Sequence, residues 1–173
     1  MPDEMTAKIL ALATEYGASA VGVTTADVFE AELQALKVNK SSGHSGPLRF
    51  TYDDPDTATD IRRTLPWAKR LLVVGHNYLG ESGTPDQDGA VVARFATANH
   101  YERLGQIADA VAAELVDRGY RAEVLIDDNR LVDRAAATRA GVGWSGRNTM
   151  VLTPAHGPWM LLGSVVTDRK SVV

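Results

Sequence analysis

The 173-residue chain is 45% hydrophobic and 23% charged with a formal net charge of −4, which fits one globular domain with a core of useful size. That charge offers no basic footprint for a nucleic-acid backbone. No apolar run approaches the roughly 20 residues that span a bilayer, and nothing at the start resembles a secretory signal, so a cytoplasmic protein is expected.

With no cysteine, disulfides, thiolate zinc sites and iron–sulfur ligation are excluded within these residues. The four histidines, His44, His76, His100 and His156, are too scattered to suggest a metal site. Thr6 precedes "AKILALATEY", with Ile9, Leu10 and Ala13 on one face and Gly17 as the stop; a capped amphipathic helix is predicted. "ASAVGVTT" predicts a short buried strand, and "DVFEAELQALK" a second helix. Residues 38–55, rich in Ser, Gly and Pro, predict a long loop of the kind that often carries function. "DTATDIRRTLP" predicts a brief helix ended by Pro66, and "RLLVVGHNYL" a central strand. A polar loop, "GESGTPDQDG", leads to another predicted strand, "AVVARFA". Leu104, Ile107, Ala108, Val111, Ala112 and Leu115 then recur at helical spacing up to Gly119. "YRAEVLID" predicts a strand ending at Asp127, and "LVDRAAATRA" a helix ending at Gly141. "TMVLTP" and "PWMLLGSVVTD" predict two strands joined by the turn "AHGP". The mixture implies an α/β (α+β) class: a single layered domain built on a mixed sheet.

Gly141, Gly143 and Gly146 in "AGVGWSGRNTMVLTP" form a literal G-x-G-x-x-G. A dinucleotide loop requires a strand entering and a helix leaving, so that the pyrophosphate meets the new helix N-terminus. Here a helix enters and a strand leaves, which excludes that reading and makes Gly141 a left-handed helix cap. Two readings remain for the rest. One is a tight turn needing positive φ, with Trp144 packed on the core. The other is a backbone surface, free of Cβ atoms, against which a large flat ligand lies, with Arg147 and Asn148 at its polar rim. In "IDDNRLVDR", Asp127, Asp128 and Asn129 either cap the following helix or place an acid at a strand end, where open sheets bind ligands. A partly buried acid there could deliver a proton. Asp133 and Arg134 read as a solvated helix face. Arg94, His100 and Tyr101 stand at a strand-to-helix junction, Tyr101 as a core aromatic or a ligand contact.

Taken together, these stretches resemble the N-terminal half of the epoxyqueuosine reductase family. Its pattern runs "ARYA…DYH", "VDTGPxxER" and "AGLGWxGKNTxLIxPxxGSWxxLGxxxTD". This chain reads "ARFATANHYE", "IDDNRLVDR" and "AGVGWSGRNTMVLTPAHGPWMLLGSVVTD", with "TLPWAKRLLVVGHNYL" similar to the upstream strand.

The resemblance implies an oxidoreductase that binds cobalamin in a domain similar to reductive dehalogenase and nitroreductase-like folds. The reaction implied is reduction of epoxyqueuosine in tRNA to queuosine, with electrons from two four-iron four-sulfur clusters. It implies Asp127 as proton donor, and Tyr101, Arg134, Gly143, Trp144, Ser145, Gly146, Arg147 and Asn148 as cofactor-binding residues. No protein ligand to cobalt and no membrane contact are implied. "DNR" after Asp127 and Glu102 after Tyr101 depart from the pattern beside the pocket, so a paralogue with another substrate stays open. So do a non-catalytic cobalamin carrier and a flavin enzyme of nitroreductase type.

Residues 1–168 are expected to form the cofactor domain. Residues 169–173 are expected to be a non-native tail, since "DRKSVV" has no counterpart in the pattern after its aspartate and can be encoded by a common sequencing adapter. Without cluster cysteines, these residues alone are expected to turn over little or not at all.

Overall fold

The computed structural model describes residues 3–80 and 92–170. Helix α1 (Glu4–Glu15) is capped by Asp3, whose carboxylate accepts the Thr6 amide at 2.8 Å. Thr6, expected as the cap, is instead buried inside the first turn. Strand β1 (Ala20–Thr25) and helix α2 (Glu30–Ser41) follow, the helix running four residues into the expected loop. A 3-10 turn, Phe50–Tyr52, a short α3 (Pro55–Thr59) and a second 3-10 turn lead to β2 (Arg70–Asn77).

The predicted strand 90–96 is not one over its described residues: Arg94–Ala96 is a 3-10 turn. Its first two residues, and all but Gly80 of the polar loop before it, lie outside the described residues. Then come α4 (His100–Asp117), β3 (Ala122–Ile126), α5 (Asp133–Arg139), β4 (Trp144–Ser145), β5 (Val151–Leu152) and β6 (Met160–Thr167).

The main sheet has the order β1-β2-β6-β3, and its pairings are antiparallel throughout rather than mixed. Side chains of β2 alternate between two cores. Leu71 and Val73 face Ile61, Leu65, Leu131, Ala136 and Ala137 on the α5 side. Leu72 and Val74 face Ile9, Leu104, Ile107, Val111 and Leu115 of α1 and α4. Burial on both faces explains why an antiparallel strand reads as an unbroken apolar run. The α+β class of one layered domain therefore holds. The predicted hairpin across "AHGP" does not pair its two strands: β5 pairs with β4, and one isolated bridge, Thr153 to Gly157, closes that turn.

Arg169, assigned from sequence to the tail, is 8% exposed. Its guanidinium donates to Thr6 Oγ1 at 2.7 Å and to Asp3, tying the end of β6 to the cap of α1. With this help and the Thr6 amide, Asp3 is held down at about 2. Arg169→Ala is therefore expected to lower the midpoint of thermal unfolding. Repeating it in an Asp3→Asn background should cost less, because paired groups couple.

Candidate functional site at the ends of the strands

Antiparallel pairing sets the start of β6 (Met160, Leu161, Leu162) beside the ends of β2 and β3. A cavity of about 280 Å³ opens there, lined by those residues together with Tyr101, Asp127, Asp133, Arg134 and Met150. A larger one, about 610 Å³, lies between one face of α2, the 48–52 segment and the turn into α5. The two share Asp127, Asp133 and Arg134 as a common wall.

Asp127 leaves β3 with φ +52. The left-handed region costs an ordinary residue about 1–2 kcal/mol and suits Asp better than most. Its carboxylate is exposed rather than partly buried. Neither Asp127 nor its neighbours cap α5, whose first turn follows Val132 without a side-chain cap. Asp128 instead accepts the Arg130 amide at 2.9 Å and the Arg130 guanidinium at 2.7 Å, and Arg130 also reaches Glu123 at 2.7 Å. Arg130 holds the Asp128 carboxyl below its usual range. The "DNR" departure is thus an internal ion-pair clamp that fixes the turn behind Asp127.

Asp133, expected on a solvated face, is not there. One of its oxygens is buried without a hydrogen-bond partner. Burial, then the charges of Asp127 and Asp128, push its carboxyl up to about 7. A signal exists in the sequence: residues 133, 136, 137 and 140 share one helix face, and Ala136 and Ala137 are fully buried.

Tyr101 is 43% exposed and lines the smaller cavity, so it is no core aromatic. Partial burial raises its phenol, with the Asp127 and Asp133 charges adding to that. Beside it His100 meets His76 at 3.2 Å, Tyr78 packs on His100, and Phe95 and Trp159 stand edge-on to Tyr78. Sequence reasoning misses this cluster because it joins the end of β2, the start of α4 and the start of β6. Arg134 Nη1 donates to the Thr149 carbonyl at 2.8 Å, which ties α5 to the glycine loop.

In that loop the steric reading needs correction. A Cβ on Gly143 would collide with the Leu152 carbonyl and come within 2.8 Å of Val151 Cγ1; one on Gly146 would come within 2.6 Å of Asn148 Oδ1. The β4–β5 hairpin itself occupies the room these glycines leave. Positive φ falls at Gly141 and Thr149 instead. Trp144, Ser145, Arg147 and Asn148 are exposed on the outer edge of the hairpin, and Trp144 is not packed on the core. Asn148 also accepts the Met150 amide at 3.2 Å. Among the described residues no group of three or more His, Asp or Glu side chains could hold a metal ion, and no helix is long and apolar enough to cross a membrane.

This architecture, one sheet between two helical layers, is similar in fold to solved structures. A reductive dehalogenase, whose structure addresses B12-dependent dehalogenation, aligns over 97% of the chain with TM-score 0.57 and 19% identity, covering 20% of its own length. An epoxyqueuosine reductase solved with an epoxyqueuosine-modified tRNA-Tyr stem loop aligns over 95% of the chain with TM-score 0.80 and 25% identity, covering 45% of its length. The epoxyqueuosine reductase of Gloeobacter violaceus is 30% identical over 165 residues, which cover 93% of the chain and 51% of the relative. The chain is a relative of the epoxyqueuosine reductases, and it spans about half the length of the curated relatives it matches. No protein-family model matches it.

Proposed function

We propose that this chain is the cobalamin-binding half of an epoxyqueuosine reductase-type oxidoreductase acting on tRNA, with its iron–sulfur clusters carried by a separate part of the enzyme. The observation that carries the reading is the convergence of Tyr101, Asp127 and Arg134 on one cleft at the strand ends, beside the glycine loop.

The lining of the two adjoining cavities, about 280 and 610 Å³, supports a large ligand lying across them. Met150, Met160, Leu161 and Leu162 give one wall an apolar surface. Trp144, Ser145, Arg147 and Asn148 present a polar and aromatic edge. Tyr101, Arg134 and that edge would hold the cofactor. Gly143 and Gly146 contribute by shaping the hairpin.

Bound cobalamin supplies reducing equivalents at its cobalt. Asp127, at the end of β3 on the cleft wall, would be the group that passes a proton to the substrate. Arg134 keeps the hairpin edge against α5, and the Met and Leu wall excludes water where charge develops, which strengthens every polar contact there.

The test adds hydroxocobalamin to the purified chain. Its visible spectrum is expected to shift and the pigment to co-elute with the protein. Arg134→Ala, which frees the Thr149 carbonyl, is expected to weaken binding about tenfold, the worth of about 1.4 kcal/mol. Retention of flavin mononucleotide in preference to cobalamin would replace this reading with a flavin one.

A further inference from the structure

Helix α2 forms one wall of the larger cavity yet belongs to neither core. None of its twelve residues is buried, and it packs mainly on α3 and the Phe50–Tyr52 turn rather than on the sheet or α5. We propose that α2 is a lid, hinged at Phe29 and at Gly43 and Gly46, that closes over the larger cavity when a ligand enters. The identity of that ligand rests on the reading given above; the hinged motion does not.

The face turned to the cavity is a single helical stripe. Glu32, Ala35, Leu36 and Asn39 share one side of the helix and line the cavity together with Leu131, Val132 and Ala135 from the turn into α5. Leu48 and Phe50, 55% and 65% exposed, stand on the same lining. Closure would bring Ala35 and Leu36 toward apolar surface, and removing that surface from water favours the closed position. Phe50 has φ +43, which is rare for an aromatic residue. Backbone strain of this kind gathers at ligand clamps and switch segments.

Both ends of α2 are built as hinges. At its start the chain is pinned: Phe29 is buried, its amide donates to the Thr59 carbonyl at 3.0 Å, and the Arg139 guanidinium lies 3.5 Å over its ring. Arg139 also donates to the carbonyls of Thr25 at 2.7 Å and Val28 at 3.3 Å. The helix then begins without a side-chain cap. At its end Gly43 and Gly46 take φ +73 and +54, with open space where a Cβ would stand. The backbone hydrogen bonds donated by residues 42–48 run only to residues a few positions back. A few such positions suffice to absorb the φ/ψ change of a closing element.

Two surface contacts hold the helix open. Lys37 pairs with Asp56 at 2.8 Å, with both side chains exposed, and Lys40 Nζ donates to the Asp53 carbonyl at 2.8 Å. Helix α3, which carries Asp56, is fixed by its buried Pro55, Ala58 and Thr59. Exposed ion pairs contribute little, and an element with few buried contacts moves at low free-energy cost.

The chain contains no cysteine, so Gln34→Cys with Thr138→Cys places one nitroxide label on α2 and one on α5, both at exposed positions. Ala11→Cys with Ala113→Cys, also exposed, labels α1 and α4, which pack together and serve as the fixed reference. Pulsed electron resonance reads the distance between the labels. In the free chain the distribution between positions 34 and 138 is expected to be broader than the reference, and Lys37→Ala with Lys40→Ala should broaden it further. Adding hydroxocobalamin should narrow it and move it to shorter distance. The double lysine variant should bind that probe about threefold more tightly, because less of the free chain is held open. A distribution as narrow as the reference in both the native and the lysine-variant chain would overturn the lid. So would one left unmoved while the visible spectrum shows cobalamin bound. A distribution that broadens when the lysines are removed, in a chain that binds no cobalamin, would reject the cofactor reading and leave the lid standing.

Discussion

Gly143→Val is expected to destabilise the chain by about 2–3 kcal/mol, whether or not a ligand is bound. The new side chain has no space to enter, because its Cβ would overlap the Leu152 carbonyl and crowd Val151 Cγ1. Backbone cannot swing aside as the tip of a flexible side chain can, so the β4–β5 hairpin must open, at a cost typical of overpacking. For a domain of this size the thermal midpoint should fall by roughly 5–10 °C. Gly141 offers the control. Nothing lies within 4 Å of a Cβ there, and only its φ of +76 resists a side chain, so Gly141→Ala should cost about 1 kcal/mol. Equal small losses at both positions, read from urea denaturation, would refute the hairpin account. Weak cobalamin binding by Gly143→Val would consequently say nothing by itself about where the cofactor lies.

Asp133 is expected to contribute stability that falls as pH rises from about 4 to about 7. Its carboxyl titrates near 7 in the folded chain, against a reference of 3.8. Between those values the folded state binds the extra proton, so ∂ΔG/∂pH for unfolding is negative. The stabilisation is complete below the reference value, is lost as pH climbs through the folded value, and is flat above it. A shift of this size corresponds to on the order of 4 kcal/mol. His76 works in the opposite sense: burial, followed by the His100 and Arg103 charges, depresses its imidazole, so its contribution grows as pH rises toward 6.5. The depressed carboxyls of Asp3, Glu4, Asp54 and Asp128 also add stability as pH rises through the acid range, so the native profile sums all of these. The difference between native chain and Asp133→Asn isolates the acid, and it should show the mutant gaining relative stability as pH rises from about 4 to about 7, with no further change above that. A mutant whose profile runs parallel to the native one would show that Asp133 is not held protonated.

Much of the fold is legible because burial repeats with the period of its element. Leu104, Ile107, Ala108, Val111 and Leu115 mark α4 at helical spacing, and all are fully buried. Leu71 to Val74 mark a strand covered on both faces. The motif stretches place Tyr101, Asp127 and Arg134, and these do meet at one cleft. Elements without periodicity mislead: the stretch at 90–96 is apolar enough for a strand, but Arg94–Ala96 turns.

The amino-acid order alone determined the periodic elements, the helix-in, strand-out sense that denies the glycine loop a dinucleotide, and the motif residues that gather at the strand ends. Only the tertiary structure decided what each of those residues does. It buried an oxygen of Asp133 and exposed Asp127, filled the space at Gly143 with Leu152, and bound Arg130 to Asp128 and Glu123. The physical reason is that desolvation, charge proximity and steric room depend on atoms from distant parts of the chain, and no local window of sequence contains them.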